Sequence, residues 1–333
     1  MGTHGITIRS IPLGSGICPS RPVEGNQSER ETSMAKTTEK RFKLMKWADY
    51  WRGPPLQFLQ VDSRRIRECM RYYREAKLDG IYISPCHGYK LKDLSFLKDY
   101  PFITRVAVAY SSSIRVSDLC VLKTLRSINI ANNQQPIDFS AFPELENVSV
   151  HWHPKMTLPE RSTTWKRLEM TGYRPKSKDL SELPDLVNLE RLQIVRAPLQ
   201  SLAGLKRFRR IKWLGLFYLS KLERIADLDA PSLEVLEFDV CRKICDHAHV
   251  ATLPRVRVLR LNDCGQVPSL TFLDRMHALE EFAFVDTNVL DGDMRPCFRL
   301  KYAGFLNKKH YSHTCEEVEA IIAARQRKGK PNK

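Results

Sequence analysis

The densest group of chemically versatile residues in this 333-residue chain is the run Cys241-x-x-x-Cys245-x-His247-x-His249. Thiolate and imidazole are the ligands zinc prefers, four of them in a tetrahedron. The spacing matches no standard finger, and Cys241 has a competing structural role set out below, so no metal is expected here. His151-x-His153 sits on a strand step and His310-x-x-His313 just precedes a helix cap. No Gly-x-Ser-x-Gly or other activated-Ser or activated-Cys signature occurs, and no Gly-rich phosphate loop follows a strand. The chain therefore reads as non-catalytic and free of cofactors.

A second group is suited to recognition rather than reaction. It comprises Tyr82, Tyr110, Trp152, Trp213, Phe217 and Tyr218, interspersed with Arg105, Arg167, Arg191, Arg196 and Arg260. Aromatic and arginine side chains dominate interface hot spots, where truncating one costs about 2 kcal/mol or more. Toward the C-terminus the same kind of position carries acids, namely Glu237, Asp239, Asp263, Glu281 and Asp286. A basic-to-acidic gradient of this sort orients a partner and speeds encounter.

These residues are positioned by a repeat. An apolar pentad with gaps of three, three, three and two reads Leu119, Leu122, Leu125, Ile128, Ile130, and again Leu183, Leu186, Leu189, Leu192, Ile194. It returns as Leu205, Phe208, Ile211, Leu214, Leu216, as Val250, Leu253, Val256, Leu259, Leu261, and as Leu273, Met276, Leu279, Phe282, Phe284. A gap of three suits neither a helix nor a strand, whereas the closing step of two is that of a strand. Taking the first residue of each strand step as an anchor gives Leu59, Ile81, Val106, Ile128, Val148, Leu168, Leu192, Leu214, Leu236, Leu259 and Phe282, separated by 20 to 25 residues. Leu300 and Tyr302 suggest a twelfth, irregular strand. Residues flanking the inward anchors point out of the sheet, which places the aromatics and arginines on its open side.

Two further registers agree. Proline falls five positions before the anchor at Pro101, Pro143, Pro231 and Pro254, and glutamate two before it at Glu146, Glu190, Glu234 and Glu280. Proline breaks a long helix, so the return segments are expected to be short 3₁₀ turns or irregular loops. Five residues beyond the anchors stand Cys86, Ser111, Asn133, His153, Tyr173, Ala197, Cys241, Cys264 and Thr287, with Leu219 the outlier. Small polar side chains there tie up backbone groups between coils. This ladder absorbs at least three of the nine cysteines, and a reduced, cytoplasmic setting is the expectation.

The pattern x-L-x-x-L-x-x-L-x-x-L-x-L, recurring at about 22 residues, resembles the internalin-like class of leucine-rich-repeat proteins. The resemblance covers roughly residues 54 to 303. It implies an α/β fold: a leucine-rich-repeat solenoid, or horseshoe, with a parallel concave sheet, short 3₁₀ or irregular convex segments and helical caps. The export signal and surface anchor of internalins do not appear, so a cell-surface role is not carried over.

The expected organisation is a disordered segment at 1–40, an N-terminal cap and first coil at 41–78, repeats at 79–303, and a C-terminal capping helix with basic tail at 304–333. A basic amphipathic helix over 62–77, capped by Asp62 or Ser63, and a helix opened by Thr314-x-x-Glu317 form the caps. The net charge of +16 concentrates at those ends, where Arg325, Arg327, Lys328, Lys330 and Lys333 follow the last acid. Lys206, Arg207, Arg209, Arg210 and Lys212 lie on a return segment and read as a solvated face. No apolar run approaches the length of a membrane span, so no membrane partner is expected.

The function expected is protein binding through the concave face by Tyr82, Tyr110, Trp152, Arg167, Arg191, Arg196, Trp213, Phe217, Tyr218 and Arg260. The alternatives are a cytosolic immunity-type neutraliser of a toxin, and a nucleic-acid-associated protein that uses its basic caps and tail.

Overall fold

The computed structural model describes residues 41–47, 55–109, 111–132 and 135–328, which fall into two compact units, 41–157 and 158–328. The expected disorder of residues 1–40, the tail beyond Lys328, and Tyr110 and Asn133 lie outside the described residues. In the first unit an antiparallel strand β1 (Leu44–Trp47) borders β2 (Leu56–Gln60), and helix α1 (Ile66–Glu75) follows. Parallel strands β3 (Gly80–Ile83), β4 (Arg105–Val108), β5 (Ser127–Ile130) and β6 (Asn147–His151) then continue the sheet.

The second unit adds strands in the same manner. Two-residue strands β7 (Arg161–Ser162) and β9 (Asp185–Leu186) pair on the return side, flanking β8 (Arg167–Thr171). The main sheet runs from β8 through β10 (Arg191–Val195), β11 (Trp213–Phe217), β12 (Val235–Asp239) and β13 (Val258–Asn262). A second small pair, β14 (Gln266–Val267) and β16 (Asn288–Val289), flanks β15 (Glu281–Ala283). Strand β17 (Tyr302–Gly304) ends the sheet, and helix α2 (Cys315–Lys328) follows.

Within each unit the anchors face one another across every strand pair. Leu59 aligns with Ile81, Ile81 with Val106, Val106 with Ile128 and Ile128 with Val148. Leu168 aligns with Leu192, and the row continues through Leu214, Leu236, Leu259 and Phe282. All are buried, most to 0 % exposure; each leucine removed from water contributes about 2 kcal/mol. The last strand differs slightly from expectation, because Ala303 rather than Leu300 or Tyr302 stands in register with Phe282. Leu300 is buried just before it.

The return segments are short 3₁₀ turns, as at Ser95–Asp99, Val116–Val121, Leu205–Arg207, Thr271–Arg275 and Arg295–Arg299. The glutamate register is one half of an alternating charge row. Two positions before successive anchors of the second unit stand Lys166, Glu190, Lys212, Glu234, Arg257 and Glu280, with Lys301 at the matching place before Ala303. Glu190 meets Lys212 at 3.4 Å, and Glu280 accepts from both Arg257 and Lys301 at 2.9 Å. Those bonds hold the Glu280 carboxyl below the usual carboxylate range.

The ladder beyond the strands is built largely as expected. Cys241, Cys264 and Thr287 are buried; the Cys264 amide donates to Thr287 Oγ1 at 2.9 Å, and Cys241 Sγ donates to the Leu216 carbonyl at 3.4 Å. Cys86 departs from it. The first return turn lifts that residue into solvent, and Ser84, buried beside it, accepts the Cys86 amide instead. All eight described cysteines are free thiols.

The helix caps divide. Thr314 and Glu317 form the reciprocal box, with the Thr314 amide donating to Glu317 Oε2 at 2.8 Å and the Glu317 amide to Thr314 Oγ1 at 3.2 Å. At α1, by contrast, the N-cap is Arg65 with no side-chain bond to the helix. Asp62 is held instead by Arg64, and Ser63 Oγ accepts from the Lys90 amide while donating to the Gly88 carbonyl.

Arg207 is not merely solvated. Its guanidinium reaches back to the carbonyls of Leu180, Ser181 and Leu183 at 2.9–3.1 Å, satisfying the preceding turn. Arg207→Ala strands those carbonyls while leaving Lys206, Arg209 and Arg210 with their charges. We expect a loss of about 2 kcal/mol in urea unfolding, against no measurable change for Arg210→Ala.

Candidate functional site

The residues singled out for recognition fall in both units, and each unit has its own arrangement. In the first, Tyr82 is buried on the outward side of the sheet against Phe58, Ala107 and Ala109, with Met45 and Leu56 packed alongside. Its ring meets His87 edge-on at 5.6 Å. Trp152 is half-buried just past β6.

The second unit carries the denser cluster. Parallel register places Arg191 beside Trp213, Gly215 beside Glu237, and Glu237 beside Arg260. Neighbouring strands lie about 4.8 Å apart, so all these side chains share one outward face. Trp213 does not stand up from that face. Its ring lies down across Gly215, where an added Cβ would collide with Trp213 Cη2, and Phe217 closes over the same glycine from the far side. The Arg191 guanidinium stacks above the indole at 3.7 Å from its centre. Cation–π contact of this kind stabilises by about 1–2 kcal/mol when partly desolvated. Trp213 and Phe217 are consequently 5 % and 7 % exposed. They form a floor rather than projecting anchors, which corrects the expectation that they meet solvent.

Charge on this floor is matched internally. Arg191 faces Glu169 at 3.7 Å, and Arg260 pairs with Glu237. Glu237 is 2 % exposed; burial pushes its carboxyl up, with the Arg260 and Arg191 charges opposing. Asp239, next along the strand face, is pushed up by burial and then by the Asp263 charge. Arg242 clamps Asp263 at 2.6 Å. Arg167 lies half-buried beside Arg191 at the start of β8.

The more accessible residues sit one step beyond the strands. The fourth residue past the anchor is left-handed at Asn132, Arg196, Tyr218, Val240, Asp263 and Asp286, with φ between 47° and 58°, and Gly172 takes the same turn. Such backbone costs about 1–3 kcal/mol for a non-glycine residue and is held by its surroundings. On this turn Arg196 is exposed and Tyr218 half-buried, and the guanidinium rests 5.4 Å from the phenol ring centre. The sequence reading missed this register because Arg196, Tyr218 and Val240 interrupt it, although Asn132, Gly172, Asp263 and Asp286 are of the types that favour left-handed backbone. It also missed Gly215, although Trp213-x-Gly215-x-Phe217 carries the signal: a strand glycine flanked on its own face by large rings. Tyr302 covers Gly304 in the same way, and Phe58 covers Gly80.

The Cys241–His249 run is taken apart by the fold. Cys241 points into the ladder, Cys245 is exposed, and His247 is buried with Nε2 2.8 Å from the Cys264 carbonyl. Among the described residues no three His, Cys, Asp or Glu side chains converge to hold a metal ion. Burial pushes the His247 imidazole below its ordinary value, opposed by the bond to Cys264 and by Asp246. A folded-state pKa below the unfolded one means that the unfolded chain binds the extra proton. Stability held above about pH 6.5 is therefore lost as pH falls through that value toward the folded pKa. His247→Gln keeps a donor for Cys264 but cannot titrate. The gap in urea midpoint between wild type and this variant is expected to narrow from pH 7.5 to 5.5.

Both units are stacks of leucine-rich repeats. The aligned anchors, the 3₁₀ returns and the buried polar ladder establish this from the chain's own geometry. No family model matches the sequence, and no curated protein matches it. Among solved structures it is similar to an internalin (InlF) from Listeria monocytogenes, at 13 % identity. The match covers 80 % of this chain and 84 % of that one, with a TM-score of 0.40. Among the described residues no helix is long and apolar enough to cross a membrane.

Proposed function

We propose that this protein is a non-catalytic binding module that holds a protein partner on the outward face of its repeat sheet. The observation that carries this reading is the locked Arg191–Trp213–Gly215–Phe217 floor, bordered by the Arg196–Tyr218 pair. Its side chains are already fixed by stacking and ion pairs, so a partner orders little on docking and more of the contact energy remains as affinity. Arg196, Tyr218 and Arg260 make direct contact, while Arg191, Trp213, Phe217 and Arg167 shape the surface beneath. Tyr82 belongs to the outward side of the first unit. The perturbed groups support a non-catalytic role, since Glu237, His247, Cys241 and Cys264 sit behind structural partners rather than around a cleft. The free thiols support a reducing, cytoplasmic setting.

Affinity capture from native extract, with and without nuclease, tests the reading. Wild type is expected to retain a protein partner after nuclease treatment, and an Arg196→Ala/Tyr218→Ala pair with an unchanged melting curve is expected to lose it. A partner held equally by both proteins would place recognition elsewhere.

A further inference from the structure

The first unit carries a second surface that the sheet face does not use. On α1 the spacing of Arg67, Arg71 and Arg74 puts three guanidiniums on one side of the helix, with Cys69 and Tyr73 buried on the far side and Met70 buried at its border. All three arginines are exposed, and at 1.5 Å per residue they form a line about 10 Å long. Of the acids on this helix, Glu68 is turned to Arg41 at 2.6 Å, and Glu75 stands at the last position, four residues after Arg71.

Rings adjoin the line. Phe102 is 37 % exposed, with the Arg74 guanidinium 5.1 Å from its centre and Tyr100 meeting it edge-on at 6.0 Å. Tyr72, half-buried on the same helix, lies flat on Phe42 at 4.4 Å. An exposed phenylalanine is an expense in water, and a row of guanidiniums at the surface repels itself; one ligand relieves both. Phosphodiesters neutralise arginines with release of counterions. Unpaired bases stack on aromatic rings and on guanidinium planes alike. An acidic segment without apolar or aromatic side chains would use the charge and leave the rings idle, and duplex bases are not free to stack.

We propose that this face of the first unit binds single-stranded nucleic acid, with phosphates along Arg67, Arg71 and Arg74 and a base against Phe102 and Tyr100. This goes beyond the sheet-face function and does not depend on it.

The test is fluorescence anisotropy of the full chain with a labelled oligouridine of about 16 nucleotides, titrated at several salt concentrations. Melting curves show that each variant is folded; if Arg67→Gln/Arg71→Gln fails that check, Arg71→Gln alone replaces it. Wild-type affinity is expected to fall linearly in log–log form with salt, with the double variant lowering the slope by about one to two. Phe102→Ala is expected to weaken binding by about 5- to 150-fold, and Arg196→Ala/Tyr218→Ala to leave it unchanged. Absence of binding at low salt overturns the proposal, as does binding that the α1 and Phe102 variants leave intact. Competition by polyglutamate as effective as by oligouridine, with Phe102→Ala silent, overturns it in favour of an acidic protein.

Discussion

Leu214→Asp is expected to abolish cooperative folding of the second unit. Leu214 is wholly buried and aligned with Leu192 on one side and Leu236 on the other. Losing a core leucine alone costs about 2–5 kcal/mol, and an unpaired carboxylate in its place adds the penalty of a buried charge. In a stack whose coils touch only their neighbours, such a loss spreads along the stack rather than staying local. Thermal unfolding by circular dichroism measures it. A midpoint like that of wild type would mean that the repeat register is wrong, since no exposed position responds to aspartate so strongly.

Glu237→Ala is the second large effect, and it tests the floor rather than the core. Glu237 separates two cations, Arg260 paired with it and Arg191 above Trp213. Removing one member of a buried pair costs about 3–5 kcal/mol; the partial exposure of Arg260 places this case near the lower end. Replacing both partners with leucine removes the uncompensated charge, so Glu237→Leu/Arg260→Leu is expected to recover most of the loss. Urea unfolding of the three proteins decides the matter. A double variant as unstable as Glu237→Ala would mean that Glu237 stabilises through something other than its ion pair.

Much of the architecture was legible in the sequence because it is enforced by burial at fixed spacing. Leu192, Leu214, Leu236 and Leu259 align on spacing alone, and strand pairing places them in that alignment. The prolines and the Thr314–Glu317 box were legible for the same reason: each acts on its own immediate backbone. The site was less legible because its chemistry depends on which way side chains lean. Trp213 and Phe217 occupy outward positions, yet a glycine between them lets both lie flat. Nothing in the spacing of Arg207 distinguished it from Arg210, since the carbonyls it binds belong to the previous coil. Cys86 sits at the ladder spacing, but the first return turn does not carry it inward. The left-handed register escaped because Arg196, Tyr218 and Val240, whose types do not favour that backbone, interrupt the Asn, Gly and Asp that do.

The proposed function places a protein partner on the outward face of the repeat sheet. Photo-crosslinking in native extract tests it most directly, with p-benzoylphenylalanine placed at Tyr218 in one protein and at the exposed return-segment residue Lys206 in another. One protein adduct that survives nuclease is expected from position 218, and none from position 206. An adduct from position 206 with none from position 218 would contradict it.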